Sequence, residues 1–254
     1  TREIVRPLVS ASDLEYRLVI LDEKGASKPH AARYIRWGES KGFHLRPTTK
    51  SRRPWWAIRV QHHAAIAFPM AHKRRPVLAL LKGAPIHLDN RLYAVYPKRP
   101  GDALLIAAGL CSTFGVLSRE IHGRANFGQG MLDMKVYEVG NLEVLDPSLL
   151  SNDAKQALLM AYDSISRRRI LMLYDGVRLP DRQALDSAFL LALGFSDPAE
   201  RAVICADLQD AACRMIWNRL AKSDNARETR MSYDTWKDSG QPFDSQAGED
   251  DGDA

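Results

Sequence analysis

Pro47, Pro54, Pro69, Pro76, Pro85, Pro97 and Pro100 interrupt residues 45–100 so often that no long amphipathic helix fits there. The short apolar runs between these breakers, 64–68, 77–81 and 92–96, read as strands. Two further runs, 18–21 and 56–60, carry the same signal, and 31–41 has room for one helix. The first half of the chain should therefore be a mixed, mostly antiparallel sheet with long loops.

The pattern changes at Gly101. Asp102 is a good N-cap for a helix over 103–122, with a stripe formed by Leu104, Leu105, Ala108, Cys111, Phe114 and Leu117. A glycine-punctuated loop, 123–130, leads to an alternating run at 132–139 that reads as a strand. Helical signals then dominate. Ser151 or Asp153 caps a helix through Ser166, Asp181 opens one that stops at Gly194, and Asp197-Pro198-x-Glu200 has the order of a capping box. That last helix should run to about Lys222. The expected class is α+β: the mixed sheet with its basic loops, then a C-terminal helical part.

Charge is distributed unevenly. From Lys24 to Arg75 the sequence holds Lys24, Lys28, Arg33, Arg36, Lys41, Arg46, Lys50, Arg52, Arg53, Arg59, Lys73, Arg74 and Arg75, against one acid, Glu39. Five of the seven histidines share this window. Such an excess attracts polyanions, although a plain solvated basic surface has the same composition. Residues 231–254 are the opposite, with seven acids and a single base, Lys237. From Asp238 on, this tail is too polar to offset its ordering entropy and is expected to be mobile.

Other features set limits. A hydrophobic fraction of 45% and a charged fraction of 26% are those of a soluble globular chain. No apolar run approaches the roughly 20 residues that span a bilayer, so no membrane partner is expected. Cys111, Cys205 and Cys213 form no C-x-x-C pair, which suits a reducing cytoplasm. The N-terminus has neither an initiator Met nor a signal-peptide core, and reads as a fragment of something longer.

The run from Arg46 to Trp56 combines Arg46, Lys50, Arg52 and Arg53 with Thr48, Thr49 and Ser51, held extended by Pro47 and Pro54. Guanidinium forks grip phosphates or guanine edges, and hydroxyls add phosphate contacts. Trp55 and Trp56 are expected to lie one buried and one exposed, as neighbours on a strand do. Lys73, Arg74 and Arg75 form a second cluster. Asn90 and Arg91 are further candidates, with an ordinary turn as the alternative for Asn90. The loop 123–130 matches neither the P-loop nor the dinucleotide fingerprint, because a helix precedes it; Arg124 is kept as a possible nucleic-acid contact. Asp133-Met-Lys135 has the form of a metal-dependent nuclease fragment. Adjacent His62 and His63 lack the carboxylate or thiol that would complete a metal set.

The ordered pattern Tyr34…Gly38-Glu39…Gly42…His44…Arg46…Thr48…Arg52…Pro54-Trp55 resembles the target-recognition region of large N6-adenine DNA methyltransferases of restriction–modification and related phage-defence systems. The likeness continues through the helix ending in Gly123-Arg124, the loop 126–130, Val136-Tyr137, the passage 142–147 and the helices after Ser151. The opening 4–13 is similar to the segment that joins the catalytic domain to this region. In all it covers the chain to about Arg230. Enzymes of that class carry an Asn/Asp-Pro-Pro-Tyr/Phe motif for the flipped adenine and a Gly-rich loop for S-adenosylmethionine. Neither stands here, and no Pro-Pro occurs anywhere.

The resemblance therefore implies duplex DNA recognition in this chain. It places S-adenosylmethionine, base flipping and methyl transfer in a preceding methyltransferase domain that the chain lacks and would partner. Arg46, Thr48, Lys50, Arg52, Arg53 and Trp55 fall at the matching positions. The implied organisation is a connecting segment 1–30, a target-recognition domain 31–147, a C-terminal helical part 148–230 and an acidic tail 231–254. Two rival readings are a nuclease using Asp133 and Lys135, and a protein-interaction module.

Overall fold

The stretch expected to be one helix over 103–122 is two, and the break organises the rest of the fold. In the computed structural model, residues 6–14, 18–58, 62–83, 85–125, 130–221 and 232–239 are described. They fall into two compact units, 14–63 and, together, 1–13 with 64–254.

The smaller unit holds two helices, α1 (Glu23–Ala26) and α2 (Pro29–Ser40), followed by a 3-10 turn at Phe43–Leu45. Asp22 caps α1 by accepting the Gly25 N–H at 2.6 Å, and Pro29 opens α2. The strand expected at 18–21 does not form. Leu18 and Val19 are 51% and 61% exposed, and among its described residues this unit holds no strand for them to pair with. The strand expected at 56–60 is absent over its described part as well: Trp56 ends a turn, and 59–60 lie outside the described residues.

The larger unit is built on a four-stranded sheet in the order β1-β4-β2-β5. Its strands are β1 (Leu8–Ser10), β2 (Ile66–Pro69), β4 (Ala79–Lys82) and β5 (Leu92–Val95). β1 lies parallel to β4, while β2 is antiparallel to both β4 and β5. The sheet is thus mixed and mostly antiparallel, as the breaker spacing requires. A two-stranded ladder pairs β3 (Ala71–His72) with β6 (Leu132–Asp133).

Eight helices complete the described part of this unit: α3 (Ala103–Cys111), α4 (Thr113–His122), α5 (Val136–Val139), α6 (Asn152–Ser166), α7 (Leu173–Gly176), α8 (Pro180–Ala192), α9 (Pro198–Ala221) and α10 (Tyr233–Ser239). The axes of α3 and α4 meet at 73° because Ser112 closes one helix and caps the next, its Oγ accepting the Gly115 N–H at 3.2 Å. A Cβ on Gly115 would lie 2.5 Å from the Leu110 carbonyl, so this corner needs glycine. Buried Asp186 on α8 fastens it by accepting the Thr113 N–H and hydroxyl, both at 2.7 Å. Asp102 does not cap α3; its carboxylate is taken by Arg99 at 2.7 Å.

The main core joins Ile66, Phe68, Leu78 and Leu80 of the sheet region to Leu105 and Ala108 of α3, Leu158 and Tyr162 of α6, and Leu185 and Phe189 of α8. A second core groups Val116, Tyr174, Cys213, Ile216, Trp217 and Tyr233 around α9. No single helix among the described residues is long and apolar enough to cross a membrane, and the bent α3–α4 pair buries much of its apolar surface. The cysteines are free and buried, and burial pushes the Cys205 thiol up to about 11 and that of Cys213 to about 12.

Two of the helix starts after Ser151 follow their signals, whereas α8 opens at Pro180 after an uncapped Leu179 and the Asp181 carboxylate is taken by Arg168. Ser151 Oγ accepts the Ala154 N–H at 3.2 Å, and Asp197 accepts that of Ala199 at 3.0 Å. A further expectation fails: the run 132–139 is a strand only at its start, because the Glu138 carboxylate reaches back to the Lys135 N–H at 2.7 Å and closes a helical turn. Of the acidic tail, residues 232–239 are described and hold α10; the segment expected to be mobile, from Asp238 on, lies outside the described residues after Ser239. Tyr233 is buried against Trp217, and Asp234 pairs with Arg214 at 2.7 Å, which holds α10 on α9.

Candidate nucleic-acid interface

In the smaller unit the basic run is anchored by one tryptophan. Gly38 is the buried position of α2, and a Cβ there would stand 2.7 Å from Trp55 Cη2. The absent side chain lets the indole lie on the helix, and Trp55 Nε1 donates to Glu39 at 3.1 Å. The pattern Gly38-Glu39…Trp55 is therefore one contact. Trp55 and Trp56 are both half-buried, not split between core and solvent, because they sit in a turn where strand alternation does not apply.

Between α2 and this anchor the chain folds back on itself. Thr49 Oγ1 donates to the carbonyls of Phe43 and Arg46, and the Lys50 N–H donates to the Arg46 carbonyl at 2.8 Å. Arg53 is drawn into the turn, donating to the carbonyls of Lys50 at 2.7 Å and Arg52 at 2.9 Å. Its guanidinium thus shapes the turn. Arg46, Thr48, Lys50 and Arg52 are exposed, with Arg46 poised 4.3 Å above the Phe43 ring.

Sequence reasoning missed an aromatic strip in the same unit. Tyr34 and Trp37 stack at 5.4 Å, and Trp37 meets Phe43 edge-on at 5.5 Å. The available signal was their i, i+3 spacing on a helix that has little else to bury.

The other candidates belong to the larger unit, where backbone pairing gathers them. The β3–β6 ladder sets His72 opposite Leu132, and Arg124 exchanges two 2.8 Å backbone hydrogen bonds with Asp133. The Met70 N–H donates to the Arg91 carbonyl at 2.9 Å, and the Met134 N–H to the Met70 carbonyl at 2.9 Å. Lys73, Arg74, Arg75, Arg91 and Arg124 therefore come from neighbouring backbone. They are not equivalent. Asn90 and Arg91 are exposed in the turn before β5, whereas Lys73, Arg74 and Arg75 are half-buried. Arg124 pairs with Glu138 and with the Tyr137 hydroxyl.

Beneath this group lies a buried ionic network. Arg219 of α9 grips Glu120 of α4 with two hydrogen bonds, 2.9 and 2.7 Å, and also donates to the carbonyls of Lys73 and Gly130. Arg119 is fully buried and donates to the Val77 carbonyl at 3.1 Å. Burial, with Arg119 and Arg219 nearby, holds the His72 imidazole well below its ordinary range, although Glu120 Oε1 stands 3.8 Å from its Nε2.

Lys135 Nζ lies 2.7 Å from Asp133 Oδ2 and occupies that carboxylate. Among the described residues no three His, Cys, Asp or Glu side chains gather where they could hold a metal ion.

The family model described as the type II methyltransferase M.Eco57I, C-terminal domain, matches residues 9–182, and the chain belongs to that family. Its fold is similar to a structure reported as "Characterization and crystal structure of the type IIG restriction endonuclease BpuSI". The TM-score is 0.57 at 13% identity, over 89% of this chain and 26% of that one. The chain thus spans about a quarter of the length of that enzyme, and at this identity the likeness concerns the fold. No curated protein matches.

Proposed function

We propose that this chain is the part of an adenine-N6 DNA methyltransferase that recognises its target in duplex DNA. One observation carries the reading: the exposed set Arg46, Thr48, Lys50 and Arg52 is presented on a turn fixed by Trp55, Thr49 and Arg53. A rigid turn offering guanidinium, ammonium and hydroxyl donors suits phosphate gripping and base-edge reading. In the larger unit, considered by itself, the exposed Asn90 and Arg91 are further candidate donors to DNA, beside the half-buried 73–75 segment and the paired Arg124.

The chain's own residues do not fit S-adenosylmethionine. Its glycine-punctuated loop leaves helix α4 where a strand would be needed. The motif that would hold a flipped adenine is missing as well, since the sequence has no Pro-Pro. Cofactor binding, extrusion of the adenine and methyl transfer fall to the methyltransferase domain of the parent protein. The chain binds DNA and positions it, in the cytoplasm of a cell that uses a restriction–modification or phage-defence system.

A salt titration of duplex binding tests the reading. If six phosphates are neutralised, log affinity falls against log salt with a slope of about −5. Arg52→Ala and Arg46→Ala each reduce the slope by about 0.9. A slope near zero, or failure to shift any duplex at low salt, overturns the reading in favour of a protein-interaction module.

A further inference from the structure

Counted from His30 along α2, positions i, i+3, i+4, i+7 and i+11 are His30, Arg33, Tyr34, Trp37 and Lys41. Those spacings trace one face of a helix, the face that a core helix would make apolar and bury. Here all five residues are exposed, Tyr34 by 63% and Trp37 by 44%. Gly38, four residues after Tyr34, borders this face and receives Trp55, and the half-buried Ala31, Ala32 and Ile35 lie beyond it. Glu39, the one acid between Lys24 and Arg75, is engaged there by Trp55 Nε1.

Two large aromatic rings on an open cationic face suit a planar, anionic occupant. Trp37 is covered on one side by Tyr34, stacked at 5.4 Å with planes 21° apart, and is met edge-on by Phe43. The larger open surface is the ring of Tyr34. A base stacked on Tyr34 extends an existing stack, and Arg33, Lys41 and Arg46 stand by for the phosphates beside it. Within an intact duplex both faces of every internal base are covered by its neighbours. Only a base that has left the stack offers a face.

The geometry points to a site for one unpaired nucleobase displaced from duplex DNA, stacked on Tyr34 and Trp37 and held by the flanking cations. This rests on the duplex-DNA reading above and adds a distinct ligand to it. Stacking on an aromatic side chain tolerates any base, so the preference should not depend on which base is displaced.

The test compares the full chain on a labelled duplex, the same duplex carrying one unpaired base, and the corresponding single strand. The duplex with the unpaired base should bind about tenfold tighter than the intact one, within the range of ordinary base–aromatic stacking. Tyr34→Ala should bring the ratio of the two affinities to about one, and Tyr34→Phe should restore it, because the ring and not the hydroxyl does the stacking. A purely structural role would lower both affinities and leave their ratio unchanged. The proposal is overturned by equal affinities in the unmodified chain, by a ratio that survives Tyr34→Ala, or by a single strand that binds tighter than either duplex. Binding of the intact duplex without preference sinks this site alone. Absence of all binding sinks the duplex reading with it.

Discussion

The buried arginines of the larger unit and the exposed ones of the smaller unit do opposite work. In the larger unit Arg119 and Arg219 are buried, and their guanidinium groups are spent on carbonyls and on Glu120. In the smaller unit Arg33, Arg46 and Arg52 are exposed, while Arg53 folds onto backbone carbonyls. A count of basic residues along the chain cannot separate these roles. What separates them is whether a core stands ready to supply acceptors. The larger unit has two hydrophobic clusters and can pay for buried charge; the smaller unit leaves its cations in water, where an anionic ligand can reach them.

The largest test of that contrast is Arg219→Ala. It strands Glu120 without its partner and frees the carbonyls of Lys73 and Gly130, so stability should fall by about 3–5 kcal/mol in chemical denaturation followed by circular dichroism. Adding Glu120→Leu should recover part of the loss, because an apolar pair tolerates this site better than a lone carboxylate. Arg52→Ala should hardly move the same midpoint. Equal losses from Arg219→Ala and Arg52→Ala would break the comparison.

Gly38→Ala comes next. A methyl group 2.7 Å from Trp55 Cη2 must displace the indole, at about 1–3 kcal/mol. Amide exchange should speed up across α2 and duplex affinity should drop, with α9 as the internal control. Unchanged protection in α2 would show that the turn does not depend on its tryptophan anchor.

The legible parts of this fold are those whose cause is local. Asp197-Pro198 and Ser151 announce α9 and α6 because a cap acts within three residues. The strands near 79 and 92 show through because prolines bound them. What stayed hidden is held from far away. Arg219 meets Glu120 across 99 residues and Lys73 across 146, so it resembles any surface cation in the sequence. Alternation at 132–139 suggested a strand, yet only Leu132–Asp133 pair as one, and a carboxylate bond from Glu138 to the Lys135 N–H closes a helical turn over the rest. At the interface, the cationic turn was readable as composition. Its ordering by Thr49, Arg53 and Gly38 was not, since those contacts need the turn already folded.

A smaller effect distinguishes the buried network by pH. Folded His72 is held well below 6.5 by burial and by Arg119 and Arg219, whereas the unfolded chain takes up a proton near that value. Above about pH 6.5 both states are neutral at this site and nothing is lost. As pH falls below it, the unfolded state binds the proton and the folded state does not, so stability declines until the lowered folded value is reached. Denaturation midpoints taken above and below pH 6.5 should show this slope, and His72→Gln should remove it. A slope unchanged by the substitution would assign it to other groups.

The smallest expected effect is the sharpest for the comparison, because Arg214 has the partners of a buried arginine and the setting of an exposed one. It reaches Asp234 at 2.7 Å and Asp210 at 3.4 Å, yet its side chain is 43% exposed. If pairing governs what an arginine contributes, Arg214→Ala should approach Arg219→Ala in cost. If burial governs, the loss should be a small fraction of it, because water screens the pair and Tyr233 in its cluster with Trp217 keeps α10 in place. The acid limb gives a second reading of the same pairs. The Arg214 guanidinium holds the Asp234 carboxyl below its usual range, and the Lys237 ammonium does the same for Asp210. Both contributions are present above the ordinary carboxylate range, near pH 3.9, and are lost as pH falls through the lowered folded values. Amide exchange in α10 should therefore rise slightly in acid, and Asp234→Asn should flatten that rise while leaving the protection of α9 intact.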